Sequence, residues 1–183
     1  MINICLDVET GGLVAGNTEM IQLGAAVFDS KFKVLSVFSS LISPTYINEL
    51  DGLALEKNKI ATDSLQKAPT AVEVRNSFYS WIKSLGGDSK KLFPLGHNYA
   101  FDKGFLELFF GKENYQELFY YKHRDSFAFA QGLVDSGSLS LVQEDLSLEN
   151  LSKHFGFLHD AHDALGDVYA TLNVYKRLTK IKG

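Results

Sequence analysis

The chain has a single cysteine, Cys5, three prolines and one tryptophan in 183 residues. One thiol cannot form an internal disulfide, so stability has to come from a core, and Cys5 inside an apolar stretch reads as a buried strand residue rather than a nucleophile. So few prolines exclude a collagen-like or proline-rich scaffold. A basic excess is missing too: 18 Lys and Arg stand against 22 Asp and Glu, a formal charge of -4. That excludes a protein that grips nucleic acid by a generally basic surface. It leaves open an acidic site that takes up divalent cations, whose working charge is not the formal one.

No apolar run approaches the ~18 residues of a spanning helix, and Asp7 interrupts the N-terminus before a signal-like region develops. The expectation is a cytoplasmic protein with no membrane segment. Hydrophobic residues make up 45% and charged residues 22%, ordinary globular values, and the length suits one domain, 1–183, with a sizeable core.

Residues 2–6 form a compact apolar run with β-branched members, and the turn signal Thr10-Gly11-Gly12 follows, which predicts a buried first strand. Runs 21–28 and 32–42 are joined by Asp29-Ser30-Lys31, a hairpin pattern. In the second of these runs apolar residues fall on both alternating faces, so cover on both sides is expected. Residues 43–69 are polar with scattered turn formers and read as a loop with a helical turn or two. Val74, Phe78, Trp81, Ile82 and Leu85 predict a helix over 72–85 that ends at Gly86-Gly87. Residues 91–96 read as a strand, with Pro94 marking an edge or a strand end. Phe105, Leu108 and Phe109 restore helical spacing up to Gly111, and 126–133 and 147–155 predict shorter helices. Leu165, Val168, Tyr169, Leu172, Tyr175 and Leu178 outline a final amphipathic helix. The pattern is α/β: three antiparallel strands, then parallel additions, in a mixed sheet flanked by helices.

Three segments bring carboxylates to element ends. Asp7 and Glu9 are two apart on the first strand, so they share a face. Taken alone, the pair is most simply a solvated strand end. Asp102 follows Gly96-His97-Asn98-Tyr99-Ala100-Phe101 at a strand-to-helix junction, where an acid also complements the helix dipole. Asp167 lies a little over one turn after His162 at the start of the last helix, a position a capping acid would also occupy. Four acids converging on one point would be costly without divalent metal.

The set Asp7-x-Glu9-Thr10, His97-Asn98-x-x-Phe101-Asp102 and His162-x-x-x-x-Asp167 resembles the DEDDh exonuclease family, the group that contains the proofreading epsilon subunit of bacterial DNA polymerase III. Residues 20–25 and Asp125-Ser126 extend the similarity over nearly the whole chain. The resemblance implies a ribonuclease-H-like fold and a 3′–5′ exonuclease that releases nucleoside 5′-monophosphates, with single-stranded DNA as the preferred substrate. RNA maturation or oligonucleotide clearance is the alternative, and a catalytically idle replisome or nucleic-acid interaction module a third reading.

By the same resemblance Asp7, Glu9, Asp102 and Asp167 would hold two divalent ions, Mg²⁺ or Mn²⁺, and His162 would be the general base. Thr10, Gly11 and Leu13 would meet the terminal nucleotide, while His97 and Asn98 either support the site from behind or serve the fold alone. The implied partners are a nucleic acid with a free 3′ end and a DNA polymerase or replisome. His159 has the wrong spacing to a following acid and reads as a loop residue. Phe101 reads as core and Asp125 as a helix N-cap outside the metal set. Gln22 stands where relatives often carry glutamate.

Overall fold

The structure, a computed structural model, describes residues 1–47, 50–86, 90–157 and 162–181. Its strands are β1 (Ile2–Thr10), β2 (Met20–Phe28), β3 (Val34–Leu41), β4 (Leu92–Gly96) and β5 (Arg124–Asp125). Its helices are α1 (Gly52–Asn58), α2 (Thr62–Gln66), α3 (Ala71–Ser84), α4 (Tyr99–Phe110), α5 (Lys112–Leu118), α6 (Ser126–Asp135), α7 (Leu148–His154) and α8 (Ala164–Leu178). The strands form one sheet in the order β3-β2-β1-β4-β5, antiparallel between β1, β2 and β3 and parallel from β1 to β4 to β5.

β1 lies at the centre, and its alternation divides the molecule. Ile4, Leu6 and Val8 point into the larger core with Phe78 of α3 and Phe105 and Leu106 of α4. Cys5 points the other way and packs with Val168 and Leu172 of α8. The period of two then places Asp7 and Glu9 on the α8 side of the sheet, beyond Cys5. β1 runs past the expected 2–6 because β2 continues to pair with it as far as Thr10.

A glycine lets α8 reach this face. Gly24 is opposite Asp7, and a Cβ there would lie 2.5 Å from the carbonyl carbon and oxygen of Ala164 and 2.7 Å from the amide nitrogen of Leu165. The first turn of α8 therefore rests directly on β2 backbone.

Several boundaries differ from the sequence reading. The third strand starts at Val34, because Asp29 accepts the amides of Lys31 and Lys33 and Phe32 turns to a positive φ of 62°. β3 is a sheet edge, and α8 does not shield its outer residues: Leu35 is 60% and Val37 41% exposed, so cover on both sides is absent there. The helical turns expected within 43–69 are α1 and α2, whereas α5 follows Gly111 unanticipated. Pro94 is neither at a sheet edge nor at a strand end. It lies mid-strand opposite Ile4, in an inner strand. The carbonyl of Leu92, which faces the same way as the nitrogen of Pro94, accepts the amide of Tyr120, so the missing N–H faces the β5 side, where the ladder begins only at Leu95. Gly86 has the left-handed φ expected after α3, while Gly87 lies outside the described residues. Among the described residues no helix is long and apolar enough to cross a membrane.

Gly24→Ala should lower stability by about 1–3 kcal/mol, the usual cost of overpacking, because the backbone of α8 is what must give. Urea titration checks the magnitude. A neutral result would mean that the close seating of α8 on β2 is not a constraint.

Candidate active site

The starts of α4 and α8 meet the carboxyl half of β1. Asp102 is the fourth residue of α4 and Asp167 the fourth of α8, so both carboxylates project from first turns whose exposed amides favour negative charge. Asp102 is 3% exposed and accepts the amide of Val8 at 3.1 Å. The β1–β4 ladder ends at Cys5 and Leu95, and beyond it the α4 carboxylate takes over the pairing of a β1 amide, between Asp7 and Glu9. Glu9, His162 and Asp167 each bring one ligand atom to within 4.8 Å of the others.

Other acids cap the helices. Asp125 is the N-cap of α6, accepting the amides of Phe127 and Ala128, and it also accepts those of Asn98 and Tyr99 at the entrance to α4. Asp163 caps α8 by accepting the amide of Gly166 at 3.0 Å. Gln22, opposite Glu9 in the sheet, donates to Asp163 at 2.9 Å and accepts the amide of Ala164 at 3.2 Å. With these partners present, Asp102 and Asp167 are not the caps of their helices. His162 stands just before this cap at a positive φ of 73°, a left-handed conformation that a β-carbon makes costly.

Electrostatics follow from the convergence. Burial, and then the charges of Asp102, Asp167, Glu9 and Asp163, hold the Asp7 carboxyl well above the usual range. Glu9 is pushed up to about 7 by burial and Asp167, with Lys57 opposing and Asp163 adding to the rise. Burial raises Asp102 to about 8 against the hydrogen bond from Val8, with Asp125 and Glu9 adding to the rise. Hard oxygen donors gathered with one imidazole fit a divalent cation such as Mg²⁺ or Mn²⁺, which would replace this repulsion by attraction.

A cleft of about 530 Å³ beside the cluster is lined by Lys57, His97, Asn98, Phe127, His162 and Asp167 among others. The Nδ1 of His97 is 2.8 Å from the Ser126 hydroxyl, which in turn donates to the carbonyl of Gly96. Asn98 takes a left-handed turn into α4. Thr10 is buried, and its hydroxyl donates to the carbonyl of Gly12. Gly11 lacks a Cβ that would collide with the Leu50 side chain, so here the glycine accommodates packing within the chain. Leu13 projects from the β1–β2 turn, 80% exposed. Phe101 is half-buried against Phe105 in the core, as expected. His159 lies outside the described residues. Periodicity could not find α1, which brings Lys57 to the cleft and lets Asn58 donate to the carbonyl of Thr10 at 3.0 Å. Only the Asp51 N-cap hinted at that helix.

This fold and this cluster define a nuclease class. The exonuclease family model RNase_T matches residues 4–175. The chain is 30% identical over 170 residues to the DNA polymerase III subunit epsilon of Treponema pallidum (strain Nichols), covering 92% of this chain and 72% of that one. It is 31% identical over 112 residues to the 3′–5′ DNA exonuclease Cap18 of Escherichia coli, covering 60% and 57% respectively. Among solved structures, E. coli exonuclease I in complex with a dT13 oligonucleotide superposes at a TM-score of 0.79 with 23% identity, over 98% of this chain and 41% of that one. The nuclease domain of 3′hExo, a DEDDh family member bound to rAMP, superposes at 0.76 with 17% identity, over 98% and 92%. The chain belongs to the RNase_T exonuclease family. Its sheet and flanking helices have the ribonuclease-H-like fold of these neighbours.

Without metal, the site should make stability fall as pH rises. Glu9 titrates near 4.5 when unfolded and about 7 when folded, so the native state holds a proton that the unfolded chain has released between those values. Stability is greater below about 4.5 and lost as pH climbs through about 7, Glu9 alone contributing up to ~3 kcal/mol. Urea titrations in chelator at about pH 5.5 and about pH 8 should show a smaller loss for Glu9→Gln than for wild type. Identical losses would take Glu9 out of the repelling cluster.

Proposed function

We propose that this chain, acting as one exonuclease domain in the cytoplasm, hydrolyses the phosphodiester bond at the 3′ end of single-stranded DNA and releases nucleoside 5′-monophosphates. The observation that supports it most is the meeting of Glu9, His162 and Asp167 beside Asp7 and Asp102, with the helix caps made by other acids. In this reading Asp7, Glu9, Asp102 and Asp167 hold two divalent ions, Mg²⁺ or Mn²⁺. Bound there, such ions supply Lewis acidity and charge neutralisation to an in-line displacement.

The chain's own groups do the rest. An imidazole nitrogen of His162 takes the proton of the attacking water, and the capped turn that follows it fixes where the ring starts. His97, held by Ser126, and Asn98 form the wall against which the strand lies. Leu13, exposed at the β1–β2 turn, packs on the terminal base, and the backbone of Thr10 and Gly11 borders the terminal sugar. A ribonucleotide substrate is the second reading, favoured by the likeness to a domain bound to rAMP. A polymerase or replisome partner rests on the likeness to the polymerase III subunit.

The test is digestion of end-labelled single-stranded DNA, duplex DNA and RNA under matched conditions, with and without chelator. Asp102→Asn is the informative acid variant, because its side-chain oxygen still accepts the amide of Val8 while the charge is lost. It should lose most activity and keep its fold, as should Asp7→Ala, Glu9→Ala and Asp167→Ala. His162→Ala should slow the chemical step by about 10²–10⁴ and leave metal binding largely intact. Full activity in a folded, metal-replete acid variant removes that residue from the assignment, and equal attack on circular strands means an endonuclease.

A further inference from the structure

A second depression, of about 420 Å³, lies on the other side of the first turn of α4 from the cleft. Asn98 lines the cleft, whereas its neighbour Tyr99, with Lys103 one turn on, lines the depression. The other wall is the segment that leads into β5. There the rings of Tyr120 and Tyr121 meet at a tilt of 57°, centroids 4.6 Å apart, with the ring of His123 5.1 Å from that of Tyr99.

Two features set this surface apart. Tyr121 is 75% exposed, so most of its side chain is open to solvent even with the ammonium of Lys122 5.5 Å from its ring centroid. The charge also runs against the rest of an acidic chain. Lys91 and Lys103 line the depression, Lys122 flanks it, and Glu107, 3.7 Å from Lys103, is the only carboxylate among the described residues that line it. Lys91 is steadied by donating to the carbonyl of Gln116. Exposed aromatic faces between spaced cations suit a ligand that alternates planar rings with negative charges.

We propose that this depression is a binding site for single-stranded nucleic acid, taking the part of the strand that lies 5′ of the nucleotides in the cleft. A base stacks on the exposed ring of Tyr121, and phosphates pass Lys103 and Lys122. The site adjoins the cleft across one helical turn, so the same strand occupies both. The placement relative to the 3′ end rests on the exonuclease reading; the binding does not.

The experiment measures anisotropy of labelled single strands of about 16 and about 3 nucleotides in chelator, and steady-state cleavage of the same strands with metal. Tyr121→Ala should weaken binding of the long strand, and raise its KM, about 10-fold, with kcat and all constants for the short strand unchanged. Tyr121→Trp should bind like wild type. Lys103→Gln with Lys122→Gln should reduce the slope of log affinity against log salt by about 1.4 for two lost phosphate contacts on a single strand. Unchanged long-strand binding in Tyr121→Ala, or equal losses on both lengths, overturns the site. So does a poly-glutamate peptide competing as well as the long strand, which would reassign the surface to an acidic protein segment. If wild type binds both strands and cleaves neither, the exonuclease reading fails while the binding result stands.

Discussion

The repulsion among carboxylates at the end of β1 is the interaction around which the molecule is arranged. Asp7, Glu9, Asp102 and Asp167 would each be better solvated apart, and the raised proton affinities of Asp7, Glu9 and Asp102 measure how far these three have been brought from that condition. The elements that carry them are held by something else. β1 is fixed by two neighbouring strands and by Ile4, Leu6 and Val8 in the core, α4 by Phe105 and Leu106, and α8 by Val168 and Leu172. Packing on the apolar faces offsets the cost on the acidic ends, a division of labour common at functional sites.

Capping makes the arrangement specific. A helix start needs an acceptor for its first amides, and an acid in the first turn would ordinarily be explained by that need. Here Asp125 serves α6 and the entrance of α4, and Asp163 serves α8. Asp102 and Asp167, one position beyond the first three orphan amides, are left to bear on Asp7. Asp102 also closes the gap where β4 stops following β1, so one side chain both completes the strand's hydrogen bonding and belongs to the cluster.

How much of this was readable in the sequence depended on whether a feature was local. The period of two at Asp7 and Glu9 and the helical spacing from Leu165 to Leu178 are local, and the structure has both. The reading of Asp125 as an N-cap rested on its place before a helical run, and it holds. What escaped was set by distant partners. Pro94 was misplaced because its tolerance depends on the shortness of β5. The helix that brings Lys57 and Asn58 to the site is seven residues long, too short for periodicity to announce. It is secured from outside, where Asn58 donates to the carbonyl of Thr10 and the carbonyl of Gly11 accepts the amide of Asp51. Gly11 has a use the turn signal did not reveal: the space left by its missing Cβ is filled by a leucine methyl.

Gln22 shows how little freedom the arrangement leaves. Its amide is used at both ends, donating to Asp163 and accepting from Ala164, and it stands opposite Glu9 at the point where α8 begins. A carboxylate in its place could still accept from the helix, but it would have no proton for Asp163 unless it too were neutralised, and it would add a charge to a region that already raises Glu9 to about 7. The neutral amide orients the cap without adding to the repulsion. Because Asp163 sets where α8 starts, and Asp167 lies four residues on, the hydrogen bonds of one uncharged side chain on β2 help determine where two neighbours of that cap, His162 and Asp167, approach Glu9. The geometry of the acidic centre is thus fixed in part by a residue that carries no charge.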